Sequence, residues 1–418
     1  MKVGSNEWWS HFLTETDQFR KTTVFKNHLK SELNSLKESI FGLLLNMQHV
    51  PSFRFYVDGK LHYYNDSMIE KVRPHKTETF DEWADRCFRD NKVSLIINYC
   101  QSFSDEVAKV VNRLFEPIIE LHGMPLGGFE ITFLMGNYDY TPMGFHKDPI
   151  GHKVTHLHLG PGRKQMYLIE PDVWEKDLFA ITGGRSGFRD FDKVLGYAQK
   201  FEIEAGDIFF MPDGKYHVGY SPEVSAAITI WHIDPSKAEL QKKMIQLFQQ
   251  RIFSKESDEV VGSNASSVNN VDYILESLGD TLNVDEEYEA LGVNRILKTL
   301  VSDYELSLRS NSFMSNRAQH VGPLSKVLLT DTIQGNLPFE ILSRPAAGSN
   351  RLVLYVRGNR MIVSGNPEVQ NFINALNSGN KIPVTDAVHS LKSSWTEGDV
   401  LTFINELLKH KGISICSE

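Results

Sequence analysis

Two stretches, 144–170 and 206–231, most constrain what this chain can fold into. The first reads GFHKDPIGHKVTHLHLGPGRKQMYLIE and the second GDIFFMPDGKYHVGYSPEVSAAITIW. Each breaks into short runs that are too brief for helices and are closed by glycine or proline. Residues 153–159 read as a strand, Gly160-Pro161-Gly162 as a tight turn, and 164–169 as the returning strand. Glu204-Ala205-Gly206-Asp207 turns into the apolar run 208–211, which Pro212 closes, and 226–231 supplies another strand. Strand–turn–strand units of this kind suit a jelly roll, a double-sheet barrel with an open mouth.

Within these runs His146 and Asp148 lie two apart, so on a strand both side chains point to the same side. His217 follows the strand-like run of the second stretch. Two imidazoles and one carboxylate on one face of a metal leave the opposite face open, which is the ligand set of non-haem Fe(II) oxygenases. His152, His156 and His158 crowd the same region, and a three-histidine zinc site is a physical alternative.

At these residues the chain resembles the JmjC-type cupin oxygenases, which depend on Fe(II) and 2-oxoglutarate. Within that group it is similar to the bacterial ribosomal-oxygenase-like proteins and to the cupin-type hydroxylases of precursor peptides. The resemblance rests on the HxD pair, the Gly162-Arg163-Lys164 turn, and the Gly206-to-Pro212 run followed by His217. It implies a double-stranded β-helix core, with His146, Asp148 and His217 as catalytic metal ligands. It implies Lys164 as the group that binds the distal carboxylate of 2-oxoglutarate. Thr155, nine residues before Lys164, and Thr132 on a preceding strand are candidates to assist it. The implied cofactors are Fe(II), 2-oxoglutarate and O2. The implied reaction is hydroxylation of an unactivated C–H on an amino-acid side chain, in a ribosomally made precursor peptide or a ribosomal protein. Charge agrees with the assignment of Lys164. A dicarboxylate needs a buried cation, and no Arg or Lys occurs between His217 and Lys237. Arg163 is the fallback, but adjacent strand residues face opposite ways, so only one of the two points inward. The alternative function is a non-catalytic cupin/winged-helix sensor of a metal or ligand that regulates transcription.

The 418 residues allow two or three domains. The expected fold class is mainly β with α, divided into an oxygenase domain at 1–235 with a helical N-terminal cover, a helical linker or dimerisation region at 236–315, and a winged-helix-like α+β domain at 316–418. In the first region, Leu29, Leu33, Leu36, Ile40 and Leu44 recur at helical spacing, and Asp58-Gly59 sits in a hairpin that runs from Phe53 to Tyr64. Ser104 opens a helix that Pro117 is expected to kink or end. Residues 171–200, Gly-rich and aromatic, read as a substrate lid or as an incidental insertion. Residues 254–270 read as a polar linker, and 271–308 as helical. In the resembling ribosomal oxygenases a helical segment after the barrel forms a homodimer; a brace is the alternative here. At the C-terminal end, Asn366-Pro367 and Thr396-x-x-Asp399 open helices.

A net charge of -9 gives the chain no electrostatic claim on nucleic acid. Residues 321–418 hold nine Lys/Arg against eight Asp/Glu, so the expected winged-helix-like domain lacks a basic footprint. The expected partner is a peptide or protein substrate. Cys87, Cys100 and Cys416 are scattered and odd in number, which speaks for a reducing compartment. The opening MKVGSNEWWSHF has no signal-peptide core, and the run 40–45 is too short to span a bilayer. A cytoplasmic location without a membrane partner is the expectation.

Overall fold

The computed structural model describes residues 1–46, 52–62, 72–88, 92–252, 292–319, 325–393 and 395–416. Tyr63 and Tyr64 of the expected hairpin, the 254–270 linker and the first part of the 271–308 helical stretch lie outside the described residues. The chain divides into two compact units. One comprises Met1–Pro235, Asn311–Ser325 and Lys409–Lys411; the other comprises Ser236–Ser310, Lys326–Leu408 and Gly412–Glu418.

The first unit is built on two antiparallel sheets. Its strands are β1 (Thr23–Phe25), β2 (Phe53–Val57), β3 (Lys60–His62), β4 (Val93–Ile97), β5 (Phe129–Gly136) and β6 (His146–Lys147), followed by β7 (His152–Pro161), β8 (Lys164–Ile169), β9 (Gln199–Ile203), β10 (Ile208–Met211), β11 (Tyr216–Tyr220) and β12 (Ser225–Ile233). The major sheet runs β1-β10-β7-β12-β5-β4-β2-β3 and the minor sheet runs β6-β11-β8-β9. This is the double-stranded β-helix that the two sequence stretches predict.

Strand alternation divides the chemistry. On the outer face of the major sheet, Leu157, Leu159, Ile208, Phe210, Ile228, Ile230, Ile131 and Phe133 join one large core with Trp8, Trp9 and Phe12. The helices Asn6–Glu15, Leu33–Leu45 and Asp105–His122 cover that face with Phe12, Leu36, Ile40 and Val111, among others. Leu29 is buried in the same core but precedes the helix. Pro117 lies inside the helix Asp105–His122, which continues to His122. The expectation that Pro117 ends this helix is corrected: a buried apolar face carrying Leu114, Phe115 and Ile118 on both sides of the proline outweighs the one backbone bond it removes.

The segment 171–200 covers the minor sheet from outside. Trp174 is fully buried and stacks on Tyr216 at 4.6 Å between ring centroids. Phe145, Ile169, Leu178, Val194 and Val218 complete this small core. Most of the segment is therefore structural packing behind the strand that carries His217. Arg189 and Phe191 of this segment line a cavity together with Tyr138, Asp139 and Thr141.

In the second unit the helices Lys237–Ile252 and Val293–Ser310 pack through Leu247, Phe248, Ile296 and Leu300. Two three-stranded antiparallel sheets follow. β13 (Thr332–Gly335) lies between β17 (Lys381–Pro383) and β18 (Ile413–Ile415); β15 (Arg351–Val356) lies between β14 (Leu342–Pro345) and β16 (Asn359–Ser364). Helices Pro367–Asn377, Val384–Leu391 and Glu397–Lys409 bury Val369, Ile373, Leu391, Ile404 and Leu407 with Ile333 and Leu354. Thr396 caps its helix by accepting from the Asp399 amide at 3.2 Å, while Asp399 accepts from the Thr396 amide at 3.0 Å. Among the described residues no helix is long and apolar enough to cross a membrane.

Candidate metal centre

The minor sheet places two histidines opposite one another. In the antiparallel pairing of β6 with β11, His146 is the register partner of His217. Their rings lie 4.3 Å apart between centroids. Asp148 follows the end of β6, with Oδ1 3.9 Å from His146 Nε2 and Oδ2 3.6 Å from His217 Nε2. One donor atom from each of the three lies within 4.8 Å of the others. Among the described residues no other group of three His, Cys, Asp or Glu gathers in this way. His152, His156 and His158 therefore do not form the alternative three-histidine set.

Orientation favours a cation. His146 Nδ1 is 2.9 Å from the Gly144 carbonyl, and His217 Nδ1 is 3.2 Å from the Lys215 carbonyl. A carbonyl only accepts, so each Nδ1 carries the proton and each Nε2 presents its lone pair to the common point. Burial, then the neighbouring His217, push the His146 imidazole toward its neutral form. Burial first, with the charge of Lys164 adding to it, pushes His217 down to about 4. Asp148 Oδ2 is buried with no hydrogen-bond partner, and burial pushes its carboxyl up from the usual range. Two neutral imidazoles beside an orphaned carboxylate make a costly arrangement by themselves and a fitting one around a divalent ion, whose donor bonds are about 2 Å long.

The three side chains open into a cavity of about 370 Å³ between the sheets. Lys164 on β8 lines it and is 4 % exposed, whereas its neighbour Arg163 faces solvent. Lys164 Nζ donates to the Tyr138 hydroxyl at 3.1 Å. Two glycines make this possible. A Cβ on Gly219 would sit 3.0 Å from Lys164 Cε and would push the lysine stem aside by a few tenths of an ångström, so glycine on the adjacent strand eases its fit. A Cβ on Gly162 would meet the Val224 carbonyl at 2.6 Å, which fixes glycine in the turn that launches β8. Asp207, within the Gly-Asp run, is structural. It is buried and accepts from Lys26 Nζ at 2.8 Å, from the Asn27 amide at 2.9 Å and from the Glu204 amide at 2.8 Å.

Thr132 on β5 lines the cavity and donates to Asn98 Oδ1 at 3.4 Å. Thr155 does not line it. Its register partners Phe210 and Ile230 belong to the core on the outer face of the major sheet, and Thr155 lies on that face with them. The expectation that Thr155 touches the co-substrate is corrected, because a one-residue difference in strand parity turns a side chain to the opposite face. Its neighbour His156 takes the inward place. The parity is signalled by Leu157 and Leu159, which mark the core face, whereas the sequence offers the histidines at 156 and 158 as part of a three-histidine metal alternative.

Glu130, also on β5, was not anticipated. It faces the cavity, and burial alone pushes its carboxyl up to about 7. The sign of its effect on stability follows. The folded state holds the proton more tightly than the unfolded chain, so stability falls as pH rises from about 4.5 to about 7. Glu130→Gln is expected to stabilise the protein at pH 8 by about 1–2 kcal/mol, after discounting for the part that solvent reaches, and to make no difference at pH 4. Denaturant melts at the two pH values check this; equal gains at both would refute it.

No protein-family model matches the chain, and no curated protein does. Solved structures do. The Escherichia coli ribosomal oxygenase YcfD in complex with cobalt and 2-oxoglutarate aligns over 100% of this chain and 99% of its own, at 15% identity and a TM-score of 0.51. The same protein with cobalt and succinic acid gives 0.52 at 15% identity, over 100% of this chain and 99% of that one. The fold is that of the JmjC/cupin ribosomal oxygenases. At this identity the likeness concerns the fold, and the site must be argued from the residues of this chain. In the JmjC/cupin fold described here, the three converging donors lie on one wall and at one end of the cavity, and the buried lysine stands farther along the same minor sheet.

Proposed function

We propose that the chain is an Fe(II)- and 2-oxoglutarate-dependent oxygenase that hydroxylates an unactivated C–H of an amino-acid side chain in a peptide or protein. The observation that carries this reading is one cavity holding both a converging His146–Asp148–His217 set, with Asp148 Oδ2 unpartnered, and a buried cation, Lys164. A metal alone needs no such lysine, and a dicarboxylate alone needs no such ligand set. The YcfD complex with cobalt and 2-oxoglutarate, which has the same fold, supports the pairing.

The three side chains would hold Fe(II) by His146 Nε2, His217 Nε2 and an Asp148 oxygen. Lys164 would receive the distal carboxylate, with Thr132 on the facing sheet. When bound, Fe(II) and 2-oxoglutarate supply an O2-driven oxidative decarboxylation coupled to hydroxylation of the substrate. The chain's own work is placement. The carbonyls of Gly144 and Lys215 fix the histidine tautomers, Tyr138 steadies Lys164, and Met166, Phe209 and Met211 keep the interior dry. No general base is needed, because the reaction removes a hydrogen atom from carbon.

The substrate belongs to one of two groups, a ribosomally made precursor peptide or a ribosomal protein. The fold shared with a ribosomal oxygenase supports the second. The -9 net charge supports a protein or peptide partner over nucleic acid. We also assign the chain to the cytoplasm and read the helical segment after the barrel as a homodimer contact, which the exposed Ile245, Val293, Leu297 and Val301 support.

The test is anaerobic titration of the purified chain with Fe(II) and 2-oxoglutarate, followed by admission of O2. A weak visible charge-transfer band and then succinate formation are expected. Tight zinc binding with neither band nor succinate would overturn the reading and favour the metal or ligand sensor.

A further inference from the structure

The metal cavity has a neighbour. A second cavity, of about 360 Å³, shares Ser94, Tyr138 and Thr141 with it. A substrate chain that enters past these three residues therefore lies along the second cavity. Tyr56 of β2 lines it, with Tyr140 and Phe191 stacked on one another at 4.0 Å between centroids and 22° between planes. Its rim is tied to the strand that carries the metal ligands. The Phe145 amide donates to the Phe188 carbonyl at 2.8 Å, and the Gly187 amide donates to the Phe145 carbonyl at 2.7 Å. Gly144 has a φ of +72°, and a Cβ there would lie 2.5 Å from the Phe188 carbonyl oxygen and 2.9 Å from Arg189 Cγ. The stem of Arg189 thus packs on the residue whose carbonyl holds His146 Nδ1. Among the charged side chains here, Lys92 and Asp139 form an ion pair at 3.2 Å. Arg189 is exposed and has no hydrogen bond or ion pair among the described residues, and Asp58 on the β2–β3 turn does not pair with it.

We propose that the second cavity is a substrate subsite, in which Arg189 anchors an acidic side chain that flanks the residue to be modified. The assignment rests on the oxygenase reading above and deepens it by naming what the enzyme selects in its peptide or protein substrate. Continuity with the metal cavity makes the occupant the same chain that delivers the target C–H. The unpaired guanidinium sets the charge of the side chain it takes, because its parallel N–H donors match a carboxylate. The aromatic lining offers rings and hydroxyls to the stem and backbone beside that carboxylate. The bridge between Phe145 and Phe188 sets the register: an arginine packed two residues before His146 stands at a fixed distance from the metal ligands. The subsite therefore reads one position of the substrate rather than its net charge.

The experiment uses the full chain loaded anaerobically with Fe(II) and 2-oxoglutarate, and the probe is a synthetic library of short random peptides. Peptides retained by the wild type are expected to be enriched in Asp or Glu at one fixed position. One of them is then remade with that acid replaced by its amide. The wild type is expected to bind the amide form about 5- to 10-fold more weakly, the range for a charge-assisted pair that solvent still reaches. Arg189→Ser is expected to bind the two forms within about twofold of one another, and Arg189→Glu to shift the enrichment at that position to Lys or Arg. The charge reversal separates recognition from a structural role, since a damaged rim would lose retention without changing its preference. Retention with no acidic preference, no retention by the wild type, or an acidic preference that survives in Arg189→Ser overturns the proposal. The charge-transfer band tests the earlier step separately: a wild type that shows the band but no acidic preference loses only this subsite, and one that shows no band loses the oxygenase reading with it.

Discussion

His217→Ala is expected to lose Fe(II) binding by more than about 100-fold and to show no 2-oxoglutarate-dependent band at any practical concentration. The reason is geometric. His217 Nε2 is one of only three donors, and its tautomer is set by the Lys215 carbonyl. No spare ligand stands by, because among the described residues no other histidine, cysteine or acidic group joins the set. The neighbouring residue supplies the control. Tyr216 points to the opposite face and stacks on Trp174 at an interplanar angle of 13°. Tyr216→Ala is therefore expected to lower stability by about 3–5 kcal/mol, the range for loss of a buried aromatic ring, while the fraction that remains folded still binds metal. Calorimetric titration with a divalent ion and denaturant melts separate the two outcomes. Full metal affinity in His217→Ala would sink the assignment of the site.

Lys164→Ala is expected to bind Fe(II) like wild type but to need about 100- to 1000-fold more 2-oxoglutarate. A dicarboxylate that enters a cavity walled by Met166, Phe209 and Met211 leaves water behind, and the lysine is what offsets that loss of hydration. Removing the cation leaves the carboxylate without the charged group nearest to it on β8, so the penalty falls on the co-substrate and not on the metal. A spectroscopic titration reads the dissociation constant directly. The split between intact metal affinity and weakened co-substrate affinity is the signature; equal loss of both would mean that Lys164 supports the fold of the site instead. Arg163 cannot substitute, since it is exposed to solvent in the turn just before β8.

The parts of this site that lay within a few residues of one another could be read in advance. The His146–Asp148 spacing, the Gly162-to-Lys164 turn and the run before His217 are local patterns, and each is set by turn chemistry and strand alternation over fewer than fifteen residues. Which parity of a strand faces the cavity is not local. It depends on where the helices Asn6–Glu15, Leu33–Leu45 and Asp105–His122 lie against the major sheet, and that placement turned Thr155 to the core and His156 to the cavity. The same holds for Glu130, whose burial comes from strands distant in sequence. It holds too for 171–200, whose glycines and aromatics have the composition of a mobile lid, although its side chains find Tyr216 and Val218 across the minor sheet. Pro117 carried a local signal to stop a helix, and the apolar face around it overruled that signal.

By itself, then, the sequence determined the jelly-roll class and the His146–Asp148 spacing that brings two donors together, because short-range alternation and turn residues specify strands and the chemistry they carry, while the choice of His217 and of Lys164 over Arg163 came from the resemblance to the JmjC-type oxygenases. Tertiary structure alone decided the second wall of the cavity, the role of the insertion and the partner-free state of His156 Nε2. These depend on which surfaces meet, and a side chain's neighbours across two sheets are set by burial of the whole core, not by the residues beside it in the chain.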